Sequence, residues 1–129
     1  MAVLAEIMSR GVFTVERGLP LRDAAAQMAQ RSIGAAIVLD GDRLVGILTE
    51  RDVLRAVGAN RDDSATVGEC MTSHPEVAEP ADTTDHAAAL MIHGGFRHLP
   101  VVEGDSVVGI VSIRDLMRVT LDDTAPRGA

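Results

Sequence analysis

The chain of 129 residues has no tryptophan, no tyrosine, no lysine and a single cysteine. Its only aromatic residues are Phe13 and Phe96, so its 47 % apolar content must pack through Ala, Val, Ile, Leu and Met. One cysteine excludes an internal disulfide and fits a reducing compartment. Cys70 lies beside Met71, after Val67-Gly68-Glu69, and reads as a small buried apolar residue rather than a nucleophile. There is no excess of basic charge: the twelve arginines are interleaved with 19 acids, for a net charge of −7. Without a basic stripe to neutralise phosphates, nucleic acid is not expected among the partners. No apolar run approaches the ~20 residues that span a bilayer, and the N-terminus lacks a charged start followed by a long apolar stretch. A cytoplasmic protein without a membrane partner is expected. Absent lysine beside abundant Ala and Arg reads as a compositional bias of the source genome, not as function.

What is present is a repetition. Gly46-Ile47-Leu48-Thr49-Glu50-Arg51-Asp52 returns 63 residues later, from Asp52 to Asp115, as Gly109-Ile110-Val111-Ser112-Ile113-Arg114-Asp115. The same offset pairs Met8 with Met71, Ala24-Ala25-Ala26 with Ala87-Ala88-Ala89, Met28 with Met91, Gly41-Asp42 with Gly104-Asp105 and Arg55 with Arg118. Without a gap between residues 6 and 57, about 16 of 52 aligned positions are identical. Two copies of one supersecondary unit follow, related by an approximate twofold axis. Units of about 60 residues are marginal alone, so a shared core is expected.

Local patterns give each copy the order β-α-β-β-α, an α/β chain. In the first, Ala5 to Met8 reads as a short turn and Val12 to Val15 as a short strand. Leu21, Ala24, Ala25, Met28 and Ala29 follow helical spacing over Leu21 to Arg31. Gly34 is expected to end that helix in the left-handed conformation. Ala35 to Leu39 is a buried strand, Asp40-Gly41-Asp42-Arg43 a hairpin turn, Leu44 to Leu48 the return strand, and Thr49 to Val57 a helix stopped by Gly58. In the second copy, Val77-Ala78 is a short strand and Thr83 or Thr84 caps a helix that Gly94-Gly95 ends. Strands over Leu99 to Val102 and Val107 to Val111 precede a helix from Ser112 to Val119. The expected boundaries are 4–59 for repeat one, a linker over 60–66 carrying the polar Asn60–Ser64, 67–121 for repeat two, and a polar, frayed tail over 122–129. Met8, Met28, Met71, Met91 and Met117 are expected to fill cores.

Thr49 and Asp52, like Ser112 and Asp115, are three apart where a strand enters a helix. That spacing makes a capping box, with an acid well placed against the helix dipole. It equally makes an anion site with a hydroxyl and free N–H groups, and a carboxylate one turn on that accepts ribose hydroxyls. Both readings stand on the residues alone.

These residues resemble a known family. The β-α-β-β-α unit, the strand pair with a tight acidic-Gly turn and the endings Gly46-Ile47-Leu48-Thr49-Glu50-Arg51-Asp52 and Gly109-Ile110-Val111-Ser112-Ile113-Arg114-Asp115 look like a cystathionine-β-synthase (CBS) domain. His98-Leu99-Pro100-Val101-Val102 is similar to that family's strand start, and two units in tandem look like a CBS pair, or Bateman module, from about Leu4 to Leu121. The resemblance implies pseudo-twofold symmetry and an adenosyl ligand (AMP, ADP, ATP or S-adenosylmethionine) in a cleft between repeats, with no cofactor required. It implies that Asp52 and Asp115 hold ribose hydroxyls and that Thr49 and Ser112 meet phosphate or ribose. Adenine would lie among Ala35, Ala36 and Ile37 or Leu99, Pro100 and Val101, with further contacts at Thr14 and its counterpart Val77. It also implies a homodimer packed through helices, for which Ala24-Ala25-Ala26 and Ala87-Ala88-Ala89 allow close approach, and an unknown downstream protein.

The two copies differ in charge. Arg97-His98 precedes the first long strand of repeat two where repeat one has Gly34-Ala35. Phosphates need cations or N–H donors, so tighter binding is expected where Arg97 and His98 stand, with Arg51 and Arg114 as second-rank contacts. His86, His93 and His98 lack the compact spacing of a zinc site, so no metal is expected. No nucleophile, base and oxyanion set is assembled, so the chain is not expected to be an enzyme. Two rivals to the sensor reading are a dimeric scaffold that binds no ligand and a metal- or redox-responsive module using the histidines and Cys70.

Overall fold

A computed structural model of the chain describes residues 2–124. In chain order its elements are α1 (Leu4–Ile7), β1 (Thr14–Glu16), α2 (Leu21–Arg31), β2 (Ala35–Asp40), β3 (Arg43–Thr49), α3 (Glu50–Gly58), α4 (Val67–Cys70), β4 (Thr72–Ser73), α5 (Thr84–Gly94), β5 (His98–Glu103), β6 (Ser106–Ser112) and α6 (Ile113–Thr124). They form two compact units. One runs from Val12 to Pro75, and the other joins the residues up to Gly11 to those from Glu76 onward.

In the Val12–Pro75 unit, four strands lie in the order β1-β2-β3-β4, with β1 parallel to β2 and the other pairs antiparallel. α2 makes the crossover that a parallel pair requires. The β2–β3 hairpin closes through Gly41 and Asp42, with Asp40 opposite Arg43. Only Gly41 of those two has positive φ, at 65°, the pattern of a II′ turn whose twist matches its strands. Alternation along the strands sends Ala36, Val38 and Leu48 into a core with Val15, Leu21, Ala24, Met28, Ala56, Ala65 and Val67. Ala35, Ile37 and Ile47 occupy the opposite face of the sheet.

The second unit repeats this arrangement with fewer formal strands. β5 and β6 pair as a hairpin, Ala78 bridges Val101 in parallel, and Ser9 bridges Ile110 antiparallel. The expected strand at Val77-Ala78 is therefore reduced to a single bridge. Leu4 and Met8 join Ala78, Ala87, Met91, Leu99, Val101, Val111 and Leu116 in one core. The amides of Leu4 and Ala5 donate to the carbonyls of Asp82 and Pro80, both at 2.9 Å.

Sequence repeat and compact unit are thus out of phase. α1 and Ser9 belong to the first repeat by sequence but complete the unit built from the second. α4 and β4 belong to the second repeat but complete the unit built from the first. Gly46 and Gly109 permit both dockings. A Cβ at Gly46 would stand 2.8 Å from the Thr72 carbonyl oxygen, and one at Gly109 would stand 3.1 Å from that of Ser9.

Each unit has its own buried cluster. The exchanged short helices add Val67 to one cluster and Leu4 to the other. Residues 60–66 do more than connect. Ala65 is buried and its carbonyl accepts the Leu21 amide at 2.9 Å. Thr66 caps α4 in a reciprocal box with Glu69. The hydroxyl and amide of Thr66, with Arg61 nearby, hold the Glu69 carboxyl below its ordinary value.

Other departures have local causes. α6 runs on to Thr124, past the expected end at Val119, because Leu121 stands where Gly58 stops α3. Residues 122–124 of the expected tail are therefore helical, and 125–129 lie outside the described residues. Met117 is 57 % exposed and fills no core. The left-handed residue after α2 is Ser32, with φ 55° and ψ 43°, not Gly34. Its repeat counterpart is Gly95, with φ 72°. A left-handed L-residue costs about 1–2 kcal/mol, partly offset because glycine loses more backbone entropy on folding. Ser32→Gly is therefore expected to raise stability by about 0.5 kcal/mol and the melting temperature by about 2 °C in calorimetry.

Candidate functional site

In the unit containing Glu76 onward, β6 delivers Ser112 opposite His98 of β5, and α6 begins at the next residue. The Ser112 amide donates to Asp115 Oδ2 at 2.9 Å, and the Asp115 amide donates to Ser112 Oγ at 3.2 Å. This is the reciprocal box expected from the spacing. The Arg97 carbonyl accepts the Ile113 amide at 2.8 Å, so the chain carrying Arg97 and His98 is tied to the start of α6. Arg97, His98, Ser112 and Asp115 are thereby gathered at one end of the unit. The Arg97 side chain is exposed and forms no ion pair among the described residues. Asp115 is 21 % exposed, with an Arg118 guanidinium nitrogen 3.7 Å from Oδ1. An accessible carboxylate, a cation and a helix N-terminus suit a ligand carrying hydroxyls and a negative charge.

The Val12–Pro75 unit has the same frame with different chemistry. Thr49 lies opposite Ala35, and the Gly34 carbonyl accepts the Glu50 amide at 3.0 Å. Asp52 is only 5 % exposed. Its Oδ2 accepts the Thr49 amide at 2.9 Å and the Thr49 hydroxyl at 3.0 Å. The Thr72 hydroxyl donates to Oδ1 at 3.1 Å. Arg55 lies 3.9 Å from Oδ1. Neither Gly34 nor Ala35 supplies charge.

The remaining candidates divide by the pleat of the strands. Ala36, Leu99 and Val101 point into the unit cores, whereas Ala35, Ile37, His98 and Pro100 lie on the other sheet face. Thr14 is exposed on β1 opposite Ile37, and Val77 is exposed next to the bridge at Ala78. Arg51 and Arg114 are exposed in the first turns of α3 and α6. Cys70 packs half-buried against the Val12–Pro75 core, while His86 and His93 are exposed on α5. Among the described residues no three His, Cys, Asp or Glu side chains converge to hold a metal.

Thr72 escaped the sequence reading. Its signal was available, because the offset that pairs Met8 with Met71 pairs Ser9 with Thr72. What the alignment could not show is that Thr72 reaches back across β3 to the carboxylate of Asp52.

The CBS domain profile matches residues 4–59 and 67–122. An uncharacterised 17.7 kDa protein of Acidianus ambivalens is 38 % identical over 122 residues, covering 92 % of this chain and 73 % of that protein. A longer relative, MJ1225 of Methanocaldococcus jannaschii, is 32 % identical over 93 % of this chain, which spans 43 % of that protein. Among solved structures, a CBS-domain protein of Burkholderia ambifaria superposes with TM-score 0.91 at 35 % identity, covering 99 % of this chain and all of that one. The CBS domain pair of protein MJ0100, in complex with 5′-methylthioadenosine and S-adenosylmethionine, gives TM-score 0.90 at 27 % identity over 96 % of this chain and 99 % of that one. The CBS domain protein PAE2072 of Pyrobaculum aerophilum, complexed with AMP, gives 0.85 at 28 % over 96 % and 98 %.

Proposed function

Because this chain belongs to the CBS-domain family, carrying two such domains in tandem, we propose that it is a regulatory, non-catalytic module that binds an adenosyl compound and transmits occupancy through a change in dimer geometry. The observation that carries this reading is the gathering of Arg97, His98, Ser112 and Asp115 at the start of α6. In it, Asp115 takes ribose hydroxyls, while Arg97 and the α6 N-terminus favour phosphate. His98 stands at the same end, opposite Ser112. Relatives solved with AMP, or with S-adenosylmethionine and 5′-methylthioadenosine, support an adenosyl ligand.

The dimer belongs to the same proposal. Leu54 (70 % exposed) and Val57 on α3, Ile92 (72 %) on α5, and Met117 and Leu121 on α6 are large apolar side chains on helix surfaces. A second copy covering them through helix packing is the arrangement that removes that area from water. A downstream protein reads the change. Among the described residues no helix is long and apolar enough to cross a membrane.

The test is a dye-based thermal-shift series with AMP, ADP, ATP and S-adenosylmethionine against a GMP control, since the chain has no Trp or Tyr to report unfolding. A ligand at about 100 times its dissociation constant adds roughly 2.7 kcal/mol, a shift of several degrees. A shift confined to adenosyl compounds and lost in Asp115→Ala is the expected result. No shift with any of them, in a protein that still dimerises, favours the ligand-free scaffold.

A further inference from the structure

We infer that Thr72 closes the Val12–Pro75 unit to ligand, so that each chain binds one adenosyl molecule, at Asp115. This rests on the functional reading above, and deepens it. An ionised carboxylate offers about four lone-pair positions. Asp52 already accepts three protein donors, the Thr49 amide, the Thr49 hydroxyl and the Thr72 hydroxyl, with Arg55 3.9 Å away. A ribose diol presents two hydroxyls and cannot be seated there without displacing one of those donors. Asp115 has a similar arginine, Arg118 at 3.7 Å, but accepts one hydrogen-bond donor of the same kind, the Ser112 amide, and keeps room for both hydroxyls.

Accessibility runs the same way, at 5 % for Asp52 against 21 % for Asp115. Of the two extra donors at Asp52, one is the hydroxyl of its own cap residue Thr49, and the other comes from a repeat-related position outside the cap. Ser9 occupies the place of Thr72, with its backbone exchanging hydrogen bonds with Ile110 at 2.9 and 3.0 Å. Thr72 lies opposite Ile47, the counterpart of Ile110. Among the described residues, no hydrogen bond joins the Ser9 hydroxyl to Asp115. A β-branched threonine is restricted at χ1 and holds its hydroxyl in one direction, whereas a serine hydroxyl turns freely to meet a ligand. The capping box alone therefore does not close a repeat, since both repeats have one. The third donor does.

The experiment is isothermal titration of the full chain with AMP and, separately, with S-adenosylmethionine. The wild type is expected to bind one molecule per chain, and Asp115→Asn to lose it. Thr72→Val keeps the branched shape but removes the donor, and is expected to reveal a second site. The reciprocal Ser9→Thr, a mild change in the other unit, is expected to weaken binding by about tenfold, as one competing hydrogen bond would. Two equal sites in the wild type, or loss of binding in Asp52→Asn with retention in Asp115→Asn, overturns the assignment while leaving the adenosyl reading intact. If neither ligand binds the wild type, the adenosyl reading fails and the assignment fails with it.

Discussion

Leu4→Ala is expected to destabilise the protein by about 2–5 kcal/mol, the range for truncating a fully buried leucine. Against a typical total stability of about 5–15 kcal/mol this is a large fraction, for a side chain three residues from the N-terminus. The reason is that Leu4 is fully buried and packs with Met91, Leu99 and Val111, not with the repeat that follows it in sequence. Urea unfolding measures the size of the effect. Hydrogen exchange read residue by residue gives its location: protection is expected to fall first in His98–Glu103 and Ser106–Ser112. A loss confined to Ala35–Asp40 and Arg43–Thr49 would overturn the exchange of short helices between repeats.

The second large effect separates two aspartates that the sequence makes look equivalent. Asp52→Ala removes the acceptor of three hydrogen bonds from a nearly buried position and leaves the Thr49 amide and Thr72 hydroxyl without it. The half-buried Thr49 amide so abandoned costs about 1–3 kcal/mol and the lost cap about 1, while the hydroxyl of the exposed Thr72 turns to water at little cost. A total near 3 kcal/mol is expected. Asp115→Ala loses one cap in a more open setting and is expected to cost about 1 kcal/mol. Parallel denaturant titrations of the two variants decide this. Equal costs would mean that the nearly buried setting of Asp52 adds nothing to its cap.

Much of this architecture could be read from the chain. The hairpins at Gly41-Asp42 and Gly104-Asp105, the caps at Thr49, Thr83 and Ser112, and the buried strands all lie where local pattern puts them, because each depends on a few adjacent residues. The rest depends on partners distant in sequence. The 63-residue period is silent on which sheet Leu4 and Val67 cover, since both repeats offer the same glycine for the approach. Ser32 adopts a glycine-like conformation because the turn between α2 and β2 demands it, overriding a residue preference that pointed to Gly34. The Ser112–Asp115 and Thr49–Asp52 pairs were legible as pairs. Their inequality was not, because it is set by a residue beyond the motif, across a neighbouring strand.

The crossed connectivity also bears on how the chain assembles during synthesis. The Val12–Pro75 unit is contiguous, so all its contacts are available once its last residues clear the ribosome. The other unit must join Leu4 and Met8 to Val111 and Leu116, a loop of about a hundred residues whose closure is slow. Until Leu116 is made, the apolar Leu4-Ala5-Glu6-Ile7-Met8 segment has no core to enter, although its neighbours are already folded. The Leu4–Met8 segment, made before the residues it packs against, is thus among the last parts of its unit to find its place.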